Sequence, residues 1–146
     1  MRTDMGHAGI EPGPTVLVVE DEALIRMLLV DELEVAGFNV IETENADAAM
    51  KALDGGHDVS VVVTDVRMPG TIDGLGLAAW MRNHHSGVPI VIMSGFASTP
   101  EIEAINPAIV RVVAKPYRAQ DFAVWLRALK SDTPTNADDT SGTASL

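Results

Sequence analysis

VLVVED, residues 16–21, fixes how the rest of the chain is read, because a run of four aliphatic residues breaks abruptly into two adjacent carboxylates. Three later runs repeat the arrangement: VVVTD ends on Asp65, IVIMS on Ser94 and VVAK on Lys115. Parallel strands are covered on both faces and so read as unbroken Val, Ile and Leu. Open α/β sheets gather ligands at the carboxyl ends of their strands. Glu20, Asp21, Asp65, Ser94 and Lys115 are therefore expected along one sheet edge, within reach of one pocket.

Working outward, strands are expected at Val16 to Val19, Asn39 to Glu42, Val59 to Thr64, Ile90 to Met93 and Arg111 to Ala114, with helices between them. Alternating β and α segments imply an α/β fold with a parallel sheet. In the first helix Ile25, Leu28, Leu29, Leu33 and Ala36 share a face, with Glu32 at its edge and Gly37 as the stop. Asn45 is the expected N-cap of the second helix, with Ala49, Met50 and Leu53 inward and Gly55 and Gly56 closing it. The third helix runs from about Leu75 to His84. Thr99 and Pro100 can open a fourth, which Asn106 and Pro107 end after about two turns. Phe122, Trp125, Leu126 and Leu129 mark the inner face of the last.

Composition narrows the function. A chain of 146 residues at 47% hydrophobic content suits one domain with a single core. The expected domain covers residues 15–131, between a Gly- and Pro-containing tail at 1–14 and a polar tail at 132–146, both read as disordered. No apolar run nears the roughly 20 residues a membrane span needs, and the first 14 residues lack the apolar stretch of a signal peptide. A soluble, cytoplasmic protein without a membrane partner is expected. The chain has no cysteine, which removes disulfides, thiolate metal sites and thiol catalysis. Its net charge of -11 opposes contact with nucleic acid, since phosphate binding needs clustered Lys and Arg.

Glu20 and Asp21 end one strand and Asp65 ends another, 44 residues after Asp21. In a right-handed doubly wound sheet those strands can be neighbours at the point where the strand order reverses. Three carboxylates facing one crevice repel each other unless a cation joins them. Oxygen ligands with open water positions suit Mg²⁺, or a related divalent ion such as Mn²⁺. Lys115 precedes Pro116, an X-Pro unit open to the cis form, and its ammonium can pair with an aspartate or a phosphoryl oxygen. Ser94 precedes Gly95, which leaves room beside the hydroxyl. A cation, a lysine, a hydroxyl and a carboxylate are the parts of a phosphoryl-transfer site that forms an aspartyl phosphate. Asp65 is the expected nucleophile, because it stands alone with Met68, Pro69 and Gly70 in the turn beyond it.

The motifs VLVVEDE, TDVRMPG with IDGL, MSG and KPY, in that order between Thr15 and Ser131, resemble the receiver domain of two-component response regulators. The resemblance implies a five-stranded doubly wound sheet of order 2-1-3-4-5 with five helices, a flavodoxin-like three-layer sandwich. It implies Mg²⁺ held by Asp21, Asp65 and the backbone carbonyl of Arg67, with Glu20 acting mostly through water. Asp65 would be the phosphoacceptor, Ser94 the hydroxyl switch and Lys115 the partner of the phosphoryl group. The donor would be a histidine kinase or histidine phosphotransfer protein. Output would pass by protein contact, to an effector or a second copy, without a dedicated enzyme activity beyond autodephosphorylation.

Three departures from the family pattern bear on signalling. The acidic pair is Glu-Asp rather than Asp-Asp, which lengthens one arm. Val112 stands where many receivers carry an aromatic residue that reports phosphorylation, and the loop PGTIDG is one residue longer than the common form. Only a 15-residue polar tail follows Ser131, so a stand-alone receiver of single-domain type is expected, with a phosphorelay shuttle or phosphate sink as the alternative output. A Mg²⁺-dependent phosphatase with an aspartyl nucleophile would want a second aspartate two residues on, where Arg67 stands. A flavodoxin-like cofactor binder would want a Gly/Ser/Thr-rich loop after the first strand, where EDE stands instead.

Other chemistry-bearing residues have plainer explanations. His84 and His85 end a helix, where an imidazolium complements the helix dipole. Trp80 and Trp125 read as packing residues, and His7 and His57 as surface residues. Leu24, Met27 and Val30 lie outside the inward set of the first helix, leaving either packing against a neighbouring helix or a docking patch.

Overall fold

The computed structural model describes residues 13–68, 70, 72–95 and 100–131. Strand and helix alternate along the chain as β1 (Thr15–Val19), α1 (Ala23–Val35), β2 (Asn39–Thr43), α2 (Ala46–Asp54), β3 (Val61–Asp65), α3 (Gly74–His84), β4 (Ile90–Ser94), α4 (Pro100–Ile105), β5 (Ile109–Ala114) and α5 (Ala119–Ser131). The strands pair in parallel in the order β2-β1-β3-β4-β5, the doubly wound, flavodoxin-like arrangement. The order reverses between β1 and β3, so the crevice for a ligand opens above that pair. Val19 lies opposite Thr64, Asp65 opposite Met93, and Ser94 opposite Ala114. The polar residue that closes each run is thereby brought to one level.

Helices cover both faces. Val16, Val18, Val63, Val91, Met93 and Val113 pack with Leu29, Leu33, Phe122 and Leu126, beneath α1 and α5. Leu17, Val19, Val62, Ile90 and Ile92 pack on the opposite face with Leu53, Leu77 and Met81 of α2 and α3. Side chains alternate along a strand, so Glu20 continues the parity of Val18, Asp65 that of Val63 and Lys115 that of Val113. These three therefore belong to the α1/α5 side, and Ser94 continues the parity of Ile92 on the other.

Several expectations shift in detail. β3 begins at Val61 rather than Val59, whose N–H instead bonds the His57 carbonyl at 3.1 Å in a turn. α1 is rotated from the expected face: Leu29, Val30 and Leu33 are buried, whereas Leu28 is 59% exposed. The cause is that α1 packs on α5 as well as on the sheet, which draws Val30 inward and turns Leu28 out beside Leu24 and Met27. Asn45 caps α2 by accepting from the Ala48 N–H at 2.8 Å, and Gly37 follows α1 at φ 102°. Met50 is half-buried and packs inward against the core, as expected. α3 starts at Gly74, capped by Asp73 accepting from the Gly76 N–H at 2.9 Å.

α4 is six residues long and buries no side chain. Buried Asn106 stops it, donating to the Ala78 carbonyl at 3.0 Å and accepting from the Ala108 N–H at 2.8 Å. Thr99, Pro69 and Thr71 lie outside the described residues. So do the tails expected at 1–14 and 132–146, apart from Gly13 and Pro14, whose carbonyls accept from the Asn39 side-chain and backbone N–H groups.

Candidate functional site

Each residue at the site is held by the strand end that carries it. Glu20 directly follows β1 and is fully buried; its N–H donates to the Thr43 carbonyl and its Oε2 accepts from the Glu22 N–H at 3.0 Å. Arg26 reaches back from α1, donating from Nη1 to the Glu20 carbonyl at 2.7 Å and from Nε to Glu42 Oε1 at 3.2 Å. Asp21 stands exposed at the mouth. Asp65 closes β3 and is buried, and Thr64 donates from Oγ1 to its carbonyl at 3.0 Å. From β5, the Lys115 N–H bonds the Ser94 carbonyl, and Lys115 Nζ donates to Asp65 Oδ2 at 2.8 Å. The Lys115–Pro116 bond is cis. Ser94 is buried at the end of β4, and Arg67 is exposed two residues beyond Asp65.

One carboxylate oxygen from each of Glu20, Asp21 and Asp65 lies within 4.8 Å of the other two. Such closeness is costly without a cation. Burial, chiefly, pushes the Glu20 carboxyl above its ordinary value; the Glu22 N–H opposes that, the Asp65 charge adds to it and the Lys115 charge relieves it. Glu20 Oε1 is buried with no hydrogen-bond partner, and the one ammonium paired in the cluster is already engaged by Asp65. Three carboxylates and an unpartnered buried oxygen fit a hard divalent cation such as Mg²⁺ or Mn²⁺, whose preferred ligands are oxygens.

Some participants were not singled out by sequence reasoning. Gly74 packs so tightly against β3 that a Cβ there would meet the Asp65 carbonyl. Thr64, Arg26 and Asp73 brace the two loops, and the IDGL motif was the available signal for Asp73 and Gly74. The Tyr117 hydroxyl is also buried without a partner. Burial first, then the charges of Glu20 and Asp65, push it up to about 12. Away from the site, His84 stacks on Trp80 with ring centroids 4.5 Å apart, and His85 pairs with Asp54 at 2.8 Å. Trp125 packs edge-on to Phe122 and lies beneath the Arg111 guanidinium.

A family model described as the response regulator receiver domain matches residues 16–127. The chain belongs to the response regulator receiver family. As a receiver it is 38% identical over 103 residues to the transcriptional regulatory protein FixJ of Bradyrhizobium diazoefficiens, covering 70% of this chain and 49% of FixJ. It is 32% identical over 123 residues to the transcriptional regulatory protein TcrA of Mycobacterium tuberculosis, covering 84% of this chain and 48% of TcrA. The chain thus spans about half the length of these relatives. Among solved structures, the receiver domain of the Francisella response regulator 1452 superposes with a TM-score of 0.72 at 24% identity, covering 82% of this chain and 98% of that one. The response regulator TrrA of Thermotoga maritima, solved in complex with Mg²⁺ and BeF, gives 0.69 at 26% identity over 80% of this chain and 98% of that one. Receiver domains are signalling domains of two-component systems rather than dedicated enzymes. No helix among the described residues is long and apolar enough to cross a membrane.

Proposed function

We propose that this receiver accepts a phosphoryl group on Asp65 from a phosphohistidine of a histidine kinase or histidine phosphotransfer protein, and signals by protein contact. The observation that carries the proposal is the Lys115 Nζ to Asp65 Oδ2 bond of 2.8 Å, set beside the three-carboxylate cluster. Lys115 holds one oxygen of Asp65 and leaves Oδ1 to attack. As the Asp65 O–P bond forms, the P–N bond breaks, and its electron pair returns to an imidazole protonated at the other ring nitrogen. Lys115 then pairs with a phosphoryl oxygen, and the Ser94 hydroxyl donates to another. Glu20, Asp21, Asp65 and the Arg67 carbonyl would hold Mg²⁺ or Mn²⁺, which when bound offsets the negative charge of the phosphoryl oxygens. Water attack on the acyl phosphate would end the signal.

The exposed apolar residues Leu24, Met27 and Leu28 lie on α1, the helix that follows Glu20 and Asp21, and supply the docking surface for the donor. A cytoplasmic location belongs to the same proposal, as does contact with an effector or a second copy. A second reading, a phosphorelay shuttle or phosphate sink, is favoured by α4, which buries no side chain, and by Val112 in place of an aromatic reporter. Transfer from a phosphorylated histidine phosphotransfer domain tests both. Mg²⁺-dependent loss of label from the donor to this chain supports the receiver, and no transfer in the presence of Mg²⁺ refutes it. Rapid return of label to a second phosphotransfer domain selects the shuttle.

A further inference from the structure

Two buried side-chain oxygens among the described residues lack a hydrogen-bond partner, Glu20 Oε1 and the Tyr117 hydroxyl. They are complementary, since an ionised carboxylate only accepts and a phenol can donate. They also belong to one side of the sheet. Glu20 continues the parity of Val16 and Val18, which lie in the cluster beneath α1 and α5, and the Tyr117 ring packs against that same cluster. Phe122 fixes the ring edge-on at a centroid separation of 4.8 Å. Lys115, two residues before Tyr117, donates to Asp65 at 2.8 Å, and a carboxylate oxygen of Asp65 lies within 4.8 Å of one of Glu20, so the chain around Tyr117 is tied to the same cluster. Other partners of Glu20 are committed: the Glu22 N–H takes Oε2, and Lys115 Nζ takes Asp65.

We propose that Tyr117 is a positioning residue for Glu20: its hydroxyl donates to Glu20 Oε1, directly or across one water, and steadies that arm when a divalent cation enters the carboxylate cluster. The inference rests on reading Glu20, Asp21 and Asp65 as a cation cluster. Glutamate has one more rotatable bond than aspartate, so its carboxylate needs more restraint to stay in register with its neighbours. Groups that orient a metal ligand act through that ligand and change metal affinity without touching the metal.

The test is calorimetric titration of the full chain with Mn²⁺ and with Mg²⁺, for the parent, Tyr117→Phe, Glu20→Asp and the double variant. Tyr117→Phe should weaken binding about 10-fold, the lower end of what loss of such a partner costs. In the Glu20→Asp background, where the arm is one methylene shorter, the same change should add less than about 2-fold. A purely structural tyrosine predicts otherwise. Tyr117→Phe keeps the ring that packs edge-on to Phe122, so it should melt in chelator close to the parent. Tyr117 is the chain's only tyrosine, so ¹³C-tyrosine labelling gives one ring signal, which Mg²⁺ should shift in the parent and much less in Glu20→Asp. Equal cation affinity for parent and Tyr117→Phe overturns this inference alone, as do additive effects in the double variant or an equal loss of melting temperature in chelator. A parent that binds neither ion overturns the cation cluster with it.

Discussion

Gly74→Ala probes how tightly the strand that carries Asp65 is held. A Cβ at residue 74 would drive into the Asp65 carbonyl oxygen, and would stand 2.9 Å from the Asp65 carbonyl carbon and 3.1 Å from Thr64 Oγ1. The obstacle is the backbone of a central strand, which cannot rotate aside as a side-chain tip would. Either the start of α3 or the Asp65 peptide must move by about 1 Å in a close-packed interior. Overpacking of this kind costs about 1–3 kcal/mol, and a backbone clash belongs at the upper end. Alanine's better helix propensity returns at most about 1 kcal/mol, less in a first turn. The net loss is then about 2 kcal/mol, or a fall in melting temperature of about 6–12 °C for a domain of this size. Displacing the Asp65 carboxylate by about 1 Å should slow phosphorylation roughly 100-fold. Scanning calorimetry and phosphorylation by acetyl phosphate in saturating Mg²⁺, well below both melting points, measure the two effects. A variant that matches the parent in both would refute the reasoning.

Asn106→Ala should cost about 2–3 kcal/mol in urea unfolding, because it strips the buried Ala78 carbonyl and the Ala108 N–H of their partner together; a loss under about 0.5 kcal/mol would count against that. Leu24→Asp and Met27→Asp replace side chains that are 67% and 61% exposed, so stability should move by no more than about 0.5 kcal/mol. Transfer from a phosphorylated kinase should nonetheless slow, while phosphorylation by acetyl phosphate stays as in the parent; unchanged transfer removes α1 as the docking surface. The folded-state pKa of Glu20 lies above 4.5, so across that window the native state binds more protons than the unfolded chain. Its contribution to stability therefore falls as pH rises above 4.5. In chelator, the stability advantage of Glu20→Gln over the parent should widen with pH and shrink when Mg²⁺ is added. An advantage that ignores pH would contradict the burial of an unpartnered carboxylate.

β1, β3 and β4 were legible because burial on both faces erases periodicity and leaves bare aliphatic runs, each stopping at a residue that now forms the site. The lysine was legible for the same reason, being the residue on which VVAK closes. What the sequence could not reveal was the rotation of α1. Leu28 and Val30 are equally apolar, and the choice between them is made by α5, whose position depends on the whole sheet. Glu20 and Asp21 likewise look equivalent in sequence. Strand parity buries the first beneath α1 and α5 and leaves the second at the mouth. Tyr117 was hidden because its packing against the core beneath α1 and α5 is set by the fold and not by a local pattern. Gly74 carried a faint mark in the IDGL motif, but the reason for it, contact with the Asp65 backbone, is a tertiary fact.

The central claim is that the lysine-held carboxylate of Asp65 takes the phosphoryl group. The intact mass of the parent and of Asp65→Asn, each incubated with acetyl phosphate and Mg²⁺, tests it most directly. The parent should gain one phosphoryl group, a gain abolished by chelator added before the donor, and the variant none. No gain in the parent, or an equal gain in Asp65→Asn, would contradict it.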